Sequence, residues 1–149
     1  MVEDQVGPDV SGRIALVLGV AGQDGFYLAR HLVERGYGVV GFGRGRRPQD
    51  LATEVVYRTV DLRDALQLER ALGELRPDLV IHVAAVHSSA GSSYETVWQD
   101  MLAVNTASVH VVLEYLRTQD PSARFVYASS GKVFSPVDGV LTETSPMHP

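Results

Sequence analysis

The chain has 149 residues, a formal net charge of −5, 45% hydrophobic and 21% charged residues, the profile of one soluble globular domain with one core. It contains no cysteine, which excludes disulfides, thiolate metal sites and a cysteine nucleophile. The acidic balance argues against a nucleic-acid partner, and no apolar run approaches the ~20 residues of a membrane span.

Residues 1–12, with Gly7, Pro8 and Gly12, are polar and acidic, so they are expected to form a flexible leader rather than a secretory signal. The protein is accordingly expected in the cytoplasm, with its domain over 13–149. Arg13 to Leu18 (RIALVL) is a near-continuous apolar run of strand length. After a glycine turn, Phe26, Ala29, Leu32 and Val33 recur at helical spacing, and Gly36 stands where a C-terminal glycine belongs. Gly38 to Phe42 and Val55 to Val60 read as the next strands. Ala65, Leu68, Leu72 and Leu75 mark a helix stopped by Pro77, and Leu79 to Val83 a fourth strand.

A long helix is expected over 94–117. Val97, Met101, Val104, Ser108, Val111 and Tyr115 share one face, while Leu102, Val109, Val112 and Leu113 widen it, which predicts burial on more than one side. Arg124 to Ala128 is a fifth strand, followed by a loop with about one helical turn. Alternating strands and helices predict an α/β fold: a doubly wound parallel sheet of Rossmann type, strand order 3-2-1-4-5. Ligands in such folds sit outside the carboxyl ends of the strands.

Gly19, Gly22 and Gly25 form Gly-x-x-Gly-x-x-Gly between the first strand and first helix. Glycine there permits positive φ, close approach of a pyrophosphate and tight helix–strand packing, and the helix N-terminus offers free N–H groups. The spacing therefore points to a dinucleotide. The second strand ends without the acid that holds a 2′-hydroxyl and instead runs into Arg44, Arg46 and Arg47. Three arginines suit a 2′-phosphate, which favours NADP over NAD, the alternative being a solvated basic loop.

These motifs resemble the extended short-chain dehydrogenases, the NAD(P)-dependent epimerase/dehydratase family, over residues 13 to 149. The GxxGQDG form, Gly19 to Gly25, is similar to the glycine motif of the GDP-mannose 4,6-dehydratases within it. The resemblance implies that Gly19, Gly22, Gln23, Asp24 and Gly25 hold the cofactor phosphates. It further implies that Asp61 and Leu62 meet the adenine, that Ala84 and Ala85 lie against ribose and phosphate, and that Asn105 and Ser129 belong to the same site. It makes Ser130 the catalytic hydroxyl that orients the reacting sugar. Read without the resemblance, Asp61 could be a helix cap, Asn105 a helix-surface polar residue, and Ser129 and Ser130 caps of a short turn.

Two departures narrow the expectation. Lys132 stands two residues after Ser130, where the dehydratases carry an acid, and fits an epimerase or 4-ketoreductase better. Phe134-Ser135 replaces the usual Tyr-Gly. The family's Tyr-x-x-x-Lys, in which the tyrosine moves the alcohol proton, is absent. The expectation is thus a cofactor-binding part of a nucleotide-sugar oxidoreductase with hydride transfer at C4, inactive by itself, and able to form a homodimer through the long helix. The alternative is a noncatalytic NAD(P)-binding sensor or interaction module. His31, His82, His87, His110 and His148 share no metal-ligand spacing and are read as structural, and no metal is expected. His87, with Ser88, Ser89 and Ser92, could line the substrate side.

Overall fold

The computed structural model describes residues 12–87, 94–134 and 139–147. Residues 1–11 of the expected leader, together with Ser88, Ser89, Ser92, Ser135 and His148, lie outside the described residues. The strands are β1 (Ile14–Leu18), β2 (Gly38–Gly43), β3 (Val56–Thr59), β4 (Leu79–His82) and β5 (Arg124–Tyr127). Every strand end falls within one residue of its expected bound. The helices are α1 (Gln23–Glu34), α2 (Ala65–Leu75), α3 (Trp98–Leu102) and α4 (Ser108–Thr118). The sheet is wholly parallel, in the order β3-β2-β1-β4-β5.

Alternate residues of the strands feed two layers, as a doubly covered parallel sheet requires. Leu16, Leu18, Val40, Phe42 and Val80 pack with Leu68 and Leu72 of α2 and Val112 and Tyr115 of α4. Ala15, Val17, Val39 and Ile81 pack with Ala29 and Leu32 of α1. Gly36 (φ +76) closes α1 as expected, its N–H donating to Val33 O while that of Tyr37 donates to Leu32 O. The α2 cap is Asp64, whose carboxylate accepts from Gln67 N–H, so the capping alternative for Asp61 is displaced by three residues.

The expected continuous helix over 94–117 is corrected. It opens with a 3-10 turn at Tyr94–Thr96, runs as α3, passes through a π turn at Ala103–Ala107 and continues as α4 to Thr118. The wider turn carries one more residue than an α turn, so the core stripe slips: Val104, Ser108, Val112 and Tyr115 are buried while Val111 is only partly so. Burial on more than one side is also overturned. Trp98, Leu102 and Leu113 are 54%, 49% and 48% exposed, because the sheet and α2 cover only one flank.

The strand order reverses between β1 and β4. There Leu18 O accepts from Val83 and Ala84 N–H, while Phe42 O of β2 accepts from Gly19 and Val20 N–H. The loops after β1 and β4 therefore leave the sheet side by side and open a crevice at its carboxyl edge.

Candidate functional site

The glycine turn forms one wall of this crevice. Gly19 has φ +93, and a Cβ there would come 2.7 Å from Ala84 N and Cα. A Cβ on Gly25 would run into Gly19 O and approach Val20 Cα to 2.8 Å. Both glycines are demanded by the chain's own packing. Gly22 differs: its φ is −80, and its Cβ would meet nothing closer than Gly19 O at 3.4 Å. Gly22 precedes α1 and offers no side-chain cap, so the N–H groups of the first turn, at Gln23, Asp24 and Gly25, stand without an intrahelical partner. Gln23 and Asp24 are exposed beside them.

The basic loop follows β2, whose Phe42 O accepts from Gly19 and Val20 N–H, and the three-arginine expectation is corrected there. Arg47 donates to Val55 O and Ala52 O at 2.6 Å each and to Leu51 O at 3.1 Å, which ties the 47–55 loop together. Its planar fork fits clustered carbonyls, so it is engaged by the fold. Arg44 and Arg46 are exposed and make no hydrogen bond or ion pair among the described residues. Tyr57 O–H donates to Gly45 O at 2.8 Å and anchors this loop; partial burial raises its hydroxyl above the usual tyrosine range.

Asp61 and Leu62 follow β3. Leu62 is buried in the core, so only its backbone can face outward. The Asp61 carboxylate accepts from Arg63 Nη2 at 2.6 Å and from its Nε and backbone N–H at 3.0 Å. These bonds hold the Asp61 carboxyl below its usual range, with nearby Arg44 adding a smaller effect. Arg63 Nη1 reaches Asp100 of α3 at 3.1 Å, so a carboxylate–guanidinium–carboxylate bridge spans from the β3 edge to α3.

On the β4 side, Ala84 lies against Gly19, and Ala85 is exposed next to it. Asn105 sits in the π turn and is not a free surface residue. Its Oδ1 accepts from Val86 N–H at 2.8 Å and its Nδ2 donates to Val86 O at 2.7 Å. Tyr127 O–H in turn donates to Asn105 O at 2.9 Å. Beyond β5, Ser129 and Ser130 are exposed, and Ser130 Oγ accepts from Lys132 N–H at 3.2 Å as the cap of the 3-10 turn Gly131–Val133. A hydroxyl's single proton is not used in that bond, so Ser130 keeps its donor.

The residues to which the sequence assigns no site role are Tyr57, Arg63, Ser108 and Tyr127, of which Ser108 is read only as part of a helix face. Each acts through a long-range contact that leaves no local spacing signal. Of the histidines, His31, His87 and His110 are exposed and His82 is buried. A separate cavity of about 460 Å3 lies between β3 and α2, lined by Arg58, Gln67, Arg70 and Glu74 among others. It shares no residue with the glycine turn, and its Arg58 is paired with Glu74 at 3.7 Å. No helix among the described residues is long and apolar enough to cross a membrane.

Comparison with known proteins agrees with the fold. The chain is 31% identical over 157 residues to GDP-mannose 4,6 dehydratase 1 of Arabidopsis thaliana, with 92% of the chain covered. It superposes on a putative epimerase from Burkholderia cenocepacia with TM-score 0.77 and 30% identity, and on a UDP-glucose 4-epimerase from Thermotoga maritima, solved with UDP-glucose, with TM-score 0.75 and 28% identity. These matches cover 95% and 91% of the chain. The chain spans 42% of the dehydratase's length and 45% of each of those structures. The model of the NAD dependent epimerase/dehydratase family matches residues 15–149, and the chain belongs to that family.

Proposed function

We propose that the crevice between the loops after β1 and β4 binds a nicotinamide dinucleotide, NADP in preference to NAD, within an oxidoreductase of nucleotide sugars. One observation carries the reading. Gly22, the glycine that the protein's own packing does not require, stands at the uncapped N-terminus of α1, on the crevice where the strand order reverses. An absent side chain beside free N–H groups and the positive end of a helix dipole suits a pyrophosphate.

In this reading Gly19, Gly22, Gln23, Asp24 and Gly25 cradle the phosphates. Arg44 meets the 2′-phosphate, and Asp61 with the Leu62 backbone meets the adenine. Ala84, Ala85, Asn105 and Ser129 border the ribose and nicotinamide side. The bound dinucleotide supplies hydride transfer with the sugar C4. Ser130, fixed at the end of β5, orients the sugar oxygen as alcohol and ketone interchange. Lys132 cannot act as a dehydration acid, which favours epimerase or ketoreductase chemistry. No Tyr-x-x-x-Lys occurs in the 149 residues, so the group that moves the alcohol proton comes from elsewhere in the protein, and these residues alone bind without turnover. The exposed Trp98, Leu102 and Leu113 supply the face of a homodimer, which sedimentation of the L102E and L113E variants would test.

NADPH and NADH titrated against wild type and Arg44→Ala test the cofactor assignment. The wild type should prefer NADPH, and the substitution should abolish that preference. Equal affinity for both dinucleotides in both proteins refutes the 2′-phosphate role.

A further inference from the structure

His82, the last residue of β4, has no exposed surface and faces a hydroxyl on a neighbouring helix: His82 Nε2 and Ser108 Oγ are 2.7 Å apart. Ser108 is itself buried and donates its proton to Val104 O at 2.6 Å. A hydroxyl has one proton, so Ser108 must accept from His82 and Nε2 carries a proton; a second proton on Nδ1 would be buried without an acceptor, so the imidazole is neutral. Nδ1 is then a bare acceptor, and it has no hydrogen-bond partner among the described residues. The tautomer follows from the hydrogen-bond count.

The pair lies against the π turn Ala103–Ala107, where Ser108 N–H reaches back five residues to Ala103 O. Ser108 donates to Val104 O on one side of that turn, and Tyr127 donates to Asn105 O on the other. The Tyr127 ring also meets the His82 ring edge-on, with centroids 5.3 Å apart. Two consecutive carbonyls of the π turn are thus held by hydroxyls anchored on His82 and β5. Asn105 belongs to the same turn and grips both backbone groups of Val86.

We propose that His82 and Ser108 are positioning residues: they lock the π turn, so that Asn105 is presented to Val86 and the β4 loop, including Ala84 and Ala85, is held against the glycine turn. The effect on ligand rests on the dinucleotide reading above; the effect on Val86 does not. Without the Ser108 hydroxyl, Val104 O loses that donor and His82 Nε2–H loses its acceptor. The π turn can then relax toward α geometry, which rotates Asn105 away from Val86.

The test is amide hydrogen exchange and imidazole nitrogen spectroscopy on the intact protein, wild type, Ser108→Ala and Tyr127→Phe. The His82 spectrum should report a bare Nδ1 and a protonated Nε2. Either substitution should speed exchange at the Val86 amide at least tenfold beyond any change at Leu16 in β1. NADPH affinity should fall three- to tenfold in step. A proton found on His82 Nδ1, or a Val86 amide as protected in both variants as in wild type, overturns the proposal. A wild type that binds no dinucleotide overturns the functional reading instead, and the Val86 exchange then supports or overturns the positioning role alone.

Discussion

The Asn105 carboxamide hydrogen-bonds both backbone groups of Val86, accepting from the N–H at 2.8 Å and donating to the carbonyl at 2.7 Å. This reproduces a strand-like pairing between a helix side chain and the loop that follows β4. Asn105→Ala should destabilise the protein by about 1–3 kcal/mol, since two partly buried backbone groups lose their partner. Asn105→Asp should cost at least as much, because a carboxylate would face the Val86 carbonyl. Urea unfolding of the three proteins measures both.

The glycines of the turn should separate into two classes. Gly25→Ala forces a methyl into Gly19 O and Val20, and overpacking of that kind costs about 1–3 kcal/mol or more. Gly22→Ala, at φ −80 with its nearest contact at 3.4 Å, should leave the melting temperature within a few degrees yet weaken dinucleotide binding about tenfold. Thermal melts paired with fluorescence titration distinguish the two. Equal binding by wild type and Gly22→Ala would remove the phosphate role from that position.

His82 sets an acid limit on stability. Burial pulls its pKa from 6.5 down to about 4, against a smaller opposing pull from the Val104 carbonyl and its own. The unfolded state therefore binds more protons between those two values, so stability should fall as pH drops from about 6.5 to 4 and be insensitive to this group above 6.5. The full effect is of order 3 kcal/mol. Urea midpoints across that range in wild type and His82→Gln would show it as a slope present only in the wild type. The Asp61 carboxyl, held low by Arg63, acts in a lower window: its contribution is present above about 3.8 and is lost as pH falls through its folded value.

Arg63 and Arg47 should behave oppositely despite similar exposure. Arg63 bridges two half-buried carboxylates from the solvent side, so Arg63→Ala should leave the urea midpoint nearly unchanged. It should nonetheless let the Asp61 carboxyl titrate closer to 3.8, which carbon-detected NMR would follow. Arg47 satisfies three backbone carbonyls of its own loop, and Arg47→Ala should cost about 1–3 kcal/mol. Arg47→Lys should restore only part of this, because an ammonium lacks the fork that reaches Val55, Ala52 and Leu51 together.

The sequence by itself determined the sheet, its strand order and the glycine turn. These follow from local chemistry: apolar runs such as RIALVL bury on both faces, right-handed crossovers limit the topology, and Gly19 with its positive φ leaves few other residues possible. The tertiary structure decided the π turn that breaks the long helix, the exposure of Trp98 and Leu102, the removal of Arg47 from the free arginines, and the contacts of Asn105 and Asp61. The helix periodicity read smoothly through 103–107 because a π turn adds a single residue, which a stripe of mostly apolar residues conceals. Several of these features depend on partners far along the chain, among them Arg47 with Val55, Asn105 with Val86, and Arg63 with Asp100. Spacing along a chain records which residues share a face, whereas the state of a carboxylate or a guanidinium depends on what the folded chain brings beside it.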